Sequence, residues 1–116
     1  MMPNTSFKFT VEPDNTAHGT KDKLEVRPGV ELTGKEFKVD YTNTDKSATK
    51  DKTVEVDFSK VEFTKVGIYR YNVAEVKGQT KGVTYDETKY QLDVYVYYDE
   101  VVGKNIAKYV VPSEKD

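Results

Sequence analysis

Apolar and polar side chains alternate through most of this chain, and that alternation limits the possible folds more than any other feature. A two-residue period places successive side chains on opposite faces of a strand, whereas a helix needs apolar residues every three or four positions. No stretch of ten or more residues shows the helical period. We therefore predict an all-β protein with very little helix. The predicted strands are Ser6–Glu12, Lys35–Tyr41, Thr53–Phe58, a short Val61–Phe63, Gly67–Val76, Thr88–Tyr98 and Ile106–Val111, the last ended by Pro112.

The spacing of these strands indicates their arrangement. Turn-forming clusters separate them, and six or seven antiparallel strands in 116 residues are typical of an immunoglobulin-like β-sandwich. A chain of this length forms one domain, which we place at residues 1–116. Tyr95 and Tyr97 alternate away from the core row of their strand, so they belong either to a second buried surface under a neighbouring loop or to a subunit contact. The predicted core consists of Phe7, Phe9, Phe37, Val39, Val56, Tyr69, Tyr71, Val73, Leu92 and Val94.

Composition excludes several classes of function. Eighteen basic and twenty acidic residues leave a formal charge of -2, which provides no field to attract nucleic acid or an anionic membrane. No apolar run approaches the roughly 20 residues that span a bilayer. The chain has no cysteine and one histidine, His18, which lies among turn-forming residues. We therefore predict no disulfide, no metal, no cofactor and no Ser-His-Asp triad.

One residue departs from the expected pattern. Glu75 shares strand parity with Tyr69, Tyr71 and Val73, so its carboxyl group is predicted to point where large apolar side chains point. Two interpretations remain open. Either the strand has left the core by this position and Glu75 is solvated, or Glu75 is a buried acid with a function, whose pKa burial would raise.

Three sequence motifs, in the order in which they occur along the chain, resemble those of the repeated isopeptide-forming domain of streptococcal major pilins. They are a Phe-x-Phe-x-Val-x-Pro opening at Phe7–Pro13, a Gly-x-Tyr-x-Tyr-x-Val-x-Glu strand at Gly67–Glu75, and a Gly-Val-x-Tyr-Asp turn at Gly82–Asp86. The resemblance implies an immunoglobulin-like sandwich locked by an amide bond between a lysine on the first strand and an asparagine on the last. It also implies that the acid closing the Tyr-x-Tyr-x-Val-x-Glu strand is catalytic, and here that acid is Glu75.

The implied chemistry agrees with the parity argument. A lysine amine attacks a carboxamide only when neutral, and burial lowers its pKa. A protonated carboxylic acid beside it can polarise the amide oxygen and carry a proton to the departing ammonia. The residues that share parity near Glu75, namely Phe7, Phe9, Tyr69, Tyr71 and Val73, are predicted to line a groove for the reacting peptides, as an apolar trench close to Glu75.

The resemblance implies a reactive lysine on a strand that would lie upstream of Met1 and a reactive asparagine on a strand that would lie beyond Asp116, so neither position can be assigned here. A bond between Lys8 and Asn105 is disfavoured because Lys8 alternates out of phase with Phe7 and Phe9. The expectation is a sandwich lacking its first and last strands: an engineered split scaffold that docks a Lys-bearing and an Asn-bearing peptide and promotes amide formation through Glu75. The alternative is a structural pilus-shaft fragment with no activity of its own. The family implies an extracellular, cell-wall-anchored pilus, and the chain itself, without an evident signal or anchor, is expected to be a soluble recombinant fragment.

Overall fold

The computed structural model describes residues 5–33, 36–41, 56–76 and 89–115. The alternating segments form strands, and no helix occurs in these ranges. The described ranges contain seven strands, namely β1 (Thr5–Pro13), β2 (Thr20–Lys21), β3 (Leu24–Pro28), β4 (Glu36–Tyr41), β5 (Gly67–Val76), β6 (Lys89–Asp99) and β7 (Lys104–Lys115).

Strand β5 is the centre of the sheet. It pairs antiparallel with β6 along one side, while β1 and β3 share its other side. β1 continues outward to β4, and β6 continues to β7, both antiparallel. The pairing of β3 with β5 is parallel, and β2 joins β3 in a small hairpin.

The face of β5 that carries Tyr69 and Tyr71 supports the main core. Val11 of β1 and Val94 and Val96 of β6 lie in the same cluster. Two irregular segments, residues 29–33 and 56–66, cover this cluster on the side away from the sheet and form the second layer of the sandwich. Leu32 of the first segment and Phe63 of the second are buried in the cluster. Aromatic contacts join the layers, because the Phe63 ring lies 4.8 Å from that of Tyr69 and the Phe58 ring 5.4 Å from that of Tyr71.

The opposite face carries a smaller core. Val26, Ile68 and Tyr95 are buried there, with Leu24 and Tyr97 packed against them. The β2–β3 hairpin covers this face, and the Tyr95 hydroxyl donates a hydrogen bond to Asp22 in its turn. The prediction of a second buried surface under a neighbouring segment is therefore confirmed for Tyr95.

The predicted core is confirmed at six positions: Val56, Tyr69, Tyr71, Val73, Leu92 and Val94 belong to the main cluster or pack against it. Phe9 is half-buried. The side chains of Phe7, Phe37 and Val39 lie outside those that the structure describes, although their backbones occupy β1 and β4.

Three predictions about strands are wrong. Residues 56–58 and 61–63 form no strand, because a turn at Ser59 and Lys60, held by a bond from the Ser59 amide to Asp57, breaks the extended backbone. Residues 53–55 of that predicted strand lie outside the described ranges. Pro112 does not end the last strand: it lies within β7, opposite Leu92, and is tolerated because β7 has only β6 beside it among the described strands. The prediction also missed β2 and β3, of which β3 pairs in parallel with β5.

Candidate functional site

Position 75 lies one residue before the end of β5, beside β1. Its backbone is directly opposite Phe9 of β1. Residues opposite each other in an antiparallel pair share a face, and the same register pairs Val73 with Val11, a member of the main core. Register and alternation thus place position 75 on the core face of the sheet. The Glu75 side chain lies outside the described side chains, so its catalytic role remains a prediction.

The two tyrosines predicted to line the groove are core residues. Tyr69 is 3% exposed and its hydroxyl donates to the Lys65 carbonyl at 2.8 Å, while Tyr71 is fully buried and donates to the Val30 carbonyl at 2.8 Å. Burial raises the pKa of Tyr71 to about 12, despite the opposing effect of its bond to Val30. Both hydroxyls therefore tie the covering segments to β5, and both rings occupy interior space.

The remaining predicted groove residues lie further along the same face. Val73 is half-buried and pairs with Tyr90 of β6. Phe9 is opposite Phe37 on one side and Glu75 on the other, and Phe7 is opposite Val39. The structure thus brings Phe9 and position 75 together as cross-strand neighbours. It places Tyr69 six positions away from Glu75 along β5, towards the other end of the strand.

The second face holds a charged cluster that the sequence did not reveal. Asp93 of β6 is 1% exposed, and the Arg70 guanidinium binds both of its oxygens at 2.8 and 3.1 Å. Lys21 of β2 donates to the same carboxylate at 2.9 Å. Arg70 is directly opposite Asp93 in the β5–β6 register. In the sequence, the only indication of this cluster is that Asp93 lies two residues before Tyr95 and so shares its face of the strand, which is buried.

This cluster is not arranged for amide formation, although it places a lysine against a carboxylate. Burial by itself raises the pKa of Asp93, but the hydrogen bonds from Arg70 and Lys21 outweigh it and hold that pKa below its ordinary value. The hydrogen bond to Asp93 likewise raises the pKa of Lys21. Both partners therefore stay charged, whereas acylation of an amine needs the neutral amine. The cluster acts as an ionic clamp that fixes the β2–β3 hairpin to the sheet.

An open groove lies along the edge of β7. Residues Phe58–Thr64 form one wall and residues 104–110 of β7 the other, and the groove has a volume of ≈ 920 Å³. It lies near the start of β5, since Ala107 pairs with Val96 and Val96 pairs with Gly67. The trench predicted next to Glu75 is a different location, about eight residues or roughly 26 Å along an extended strand.

The asparagine and histidine considered from sequence have local structural roles. Asn105 lies in β7 and donates from Nδ2 to the Phe63 carbonyl at 3.0 Å. His18 is exposed, and its Nδ1 lies 2.8 Å from the Thr16 carbonyl oxygen. Within the described ranges, no three acidic or histidine side chains group as metal ligands would. The same part of the chain holds no helix with the length and apolarity needed to cross a bilayer.

The described sheet, covered by the segments that carry Leu32 and Phe63, forms an immunoglobulin-like all-β domain. Residues 1–111 match the family model FctA, described as a Spy0128-like isopeptide containing domain, and the chain belongs to this family. It is 43% identical over 112 residues to a pilin of Streptococcus pyogenes serotype M1, a match that covers 96% of this chain and 32% of the pilin.

Solved structures of Streptococcus pyogenes pilins have the same fold. The major pilin T3.2 of serotype GAS13637 matches with a TM-score of 0.83 and 43% identity, over 99% of this chain and 41% of that one. The major pilin T-13 of serotype GAS131465 matches with a TM-score of 0.77 and 42% identity, over 98% and 40% of the two chains. The chain thus spans about a third to two fifths of the length of these relatives. These findings support a pilin shaft domain, related to extracellular pilus proteins.

Proposed function

We propose that this chain acts as a split pilin-domain scaffold, as in an engineered peptide ligase. It docks a Lys-bearing and an Asn-bearing β-strand and promotes an amide bond between them through Glu75. The observation that supports this proposal is the position of Glu75: it closes the strand that matches the isopeptide family, on the core face opposite Phe9.

The proposed reaction needs no cofactor. The neutral lysine amine adds to the carboxamide carbon of the asparagine, the new C–N bond forms, and the bond to the original nitrogen breaks to release ammonia. Glu75, as the neutral acid, donates a hydrogen bond to the amide oxygen, transfers a proton to the leaving nitrogen and regains one from the attacking lysine nitrogen. The rest of the acceleration comes from orientation, which can be worth on the order of 7 to 11 kcal/mol.

Docking would use the β4 edge of the sheet, which lies two strands from Glu75 in the order β5, β1, β4. In the described ranges β4 pairs with β1 alone, so it offers main-chain donors and acceptors to one added strand. The second strand would pair with the first, so that the lysine and the carboxamide meet over the core face on which Glu75 is placed. Peptide recognition by added strands depends on the backbone, whereas the reaction depends on the acid. Binding and catalysis should therefore be separable by mutation.

The second candidate function is purely mechanical. The similarity to pilins supports a shaft domain that carries load and has no catalytic activity of its own. The two candidates differ in one measurable respect, because only the first forms a covalent product from separate peptides.

The test combines the chain with one Lys-bearing and one Asn-bearing strand peptide and follows intact mass. We expect a conjugate lighter than the two peptides together by one ammonia. Glu75→Ala should abolish the conjugate while the peptides still bind, and Glu100→Ala, at an exposed turn position, should leave the rate unchanged. The rate should fall on the acid side, where the lysine is protonated, and on the alkaline side, where Glu75 loses its proton. An undiminished rate in Glu75→Ala would falsify the role assigned to Glu75. If the intact chain forms no conjugate, the ligase function is wrong and the mechanical function is the one that remains.

A further inference from the structure

The groove beside β7 has the dimensions of an extended peptide. Each wall is seven residues long, Phe58–Thr64 on one side and residues 104–110 on the other. Neither wall is paired with another strand on the groove side in the described part of the chain. An extended segment that lies along them would therefore meet main-chain donors and acceptors as well as side chains, except at Phe63, whose carbonyl accepts a hydrogen bond from the Asn105 side chain that joins the two walls.

The groove is preformed by contacts within the domain. Phe63 is 6% exposed, packs edge-on against Tyr69, and accepts the bond from Asn105 through its carbonyl. Phe58 packs against Tyr71. These contacts fix the irregular wall relative to the sheet, so a ligand would need little rearrangement to bind.

A bulge in β7 limits how far an added strand can pair. Tyr95 pairs with Tyr109 and Val96 with Ala107, which leaves Lys108 as an extra residue in β7. Regular pairing is therefore available along Lys104–Ala107. Beyond the bulge, Tyr109 and Val110 are 49% and 38% exposed and offer apolar contact area.

Charge in the groove identifies the occupant. Its charged lining residues are Lys60, Lys104 and Lys108 against Glu62 alone, in a chain with a formal charge of -2. Lys108 is held by Asp99 at 2.6 Å, and Lys60 and Lys104 are exposed. The groove floor is apolar, with Val61, Phe63 and Ala107. An extended segment with alternating apolar and acidic side chains fits this groove, because its apolar side chains would meet the apolar floor and its acidic ones the lysines of the rim.

We propose that this groove binds an extended segment of another protein, in which apolar side chains alternate with acidic ones. The site is separate from the proposed ligase centre, because it lies at the opposite end of β5 from Glu75. This proposal does not depend on the proposed function. A peptide without lysine or asparagine cannot form the amide bond, yet it has the apolar and acidic side chains that the groove would bind.

The test uses a fluorescein-labelled seven-residue peptide of alternating valine and glutamate, with the matching valine and lysine peptide as its control. Fluorescence anisotropy with the full chain should show binding of the glutamate peptide at least about tenfold tighter than the lysine peptide at low ionic strength. The double variant Lys60→Glu with Lys104→Glu should reverse this preference. Lys23→Glu with Lys89→Glu makes the same change in net charge at exposed positions outside the groove, and it should retain the wild-type preference.

Hydrogen exchange locates the bound peptide, and protection is expected at residues 58–64 and 104–107. Failure of the glutamate peptide to bind below about 1 mM, or equal binding of both peptides, overturns the proposal. Protection around Glu75 instead also overturns it. Concentration-dependent self-association that protects the groove without peptide identifies the occupant as a second copy of the chain, and that result too contradicts the proposal.

Discussion

A carboxylate with 1% of its surface exposed needs strong partners, and Asp93 has Arg70 and Lys21. Replacing it by asparagine keeps the shape, removes the charge, and leaves two cations without their anion. We expect Asp93→Asn to lower the free energy of unfolding at pH 7 by about 2–4 kcal/mol. Lys21→Met should cost less than about 1 kcal/mol, because the Lys21 side chain is 41% exposed. Urea denaturation measures both, and a loss for Asp93→Asn no larger than that for Lys21→Met would show that Arg70 contributes nothing to holding this carboxylate.

The same carboxylate predicts an acid dependence. The folded protein holds the pKa of Asp93 below its ordinary 3.8, so the ionised group contributes stability above that pH and the contribution is lost as pH falls through the folded pKa. Wild type should therefore lose more stability than Asp93→Asn between pH 5 and about pH 2. The free energies of unfolding of the two proteins, measured by denaturation at each pH, should converge as pH falls. A constant difference between them would show that Asp93 is not the source of the acid dependence.

Gly29 illustrates a residue fixed by packing. A Cβ atom at this position would lie 2.3 Å from the Tyr71 ring, which is fully buried and cannot move aside easily. We expect Gly29→Ala to destabilise the protein by about 2–3 kcal/mol through overpacking. Gly103→Ala is the matched control, since a Cβ there meets nothing within 4 Å and only the backbone strain at its φ of 80° remains. That control should cost about 1–2 kcal/mol.

At the scale of elements, the β2–β3 hairpin is attached mainly by side chains. Its parallel ladder with β5 extends over three residue pairs, and the Tyr95–Asp22 hydrogen bond and the Lys21–Asp93 ion pair supplement it. Elements with few main-chain bonds open at lower free energy than the centre of a sheet. The hairpin is therefore the first described strand pair that should open.

Tyr95→Phe tests this attachment. Loss of one hydrogen bond of about 1 kcal/mol should speed amide exchange in residues 20–28 by roughly fivefold and leave β5 and β6 unchanged. Hydrogen exchange with mass spectrometry measures it, with Tyr98→Phe, at an exposed position, as the control. A uniform change over the whole sheet would contradict a local role.

At the scale of the whole molecule, β5 and β6 link the two cores. Ile68 and Tyr95 belong to one, and their chain neighbours Tyr69 and Val94 belong to the other. Neither core can lose its packing without disturbing the strands that support both. We expect one cooperative transition, with far-UV circular dichroism and tyrosine fluorescence giving the same midpoint. Two separated midpoints would show that the cores unfold independently.

Much of this architecture could be predicted from the sequence, because alternation is a local property of each strand. The alternation predicted that Tyr69, Tyr71, Leu92 and Val94 lie on the core face. It also predicted the bounds of β5, Gly67–Val76. The sequence motif that ends at Glu75 also identified the family. These results depend only on residues next to one another in the chain and on a motif contained in one strand.

Tertiary structure alone decided the features that depend on distant partners. Asp93 and Lys21 are 72 residues apart, and no local pattern announces that a hairpin will fold over that carboxylate. The apolar residues around Val56–Phe63 alternate as a strand does, yet a turn and the aromatic rings beneath them make them a covering segment. The groove beside β7 exists because that segment packs on the core without pairing with the neighbouring strand. Burial and pairing between distant segments are properties of the folded molecule, since they follow from which elements the topology brings together.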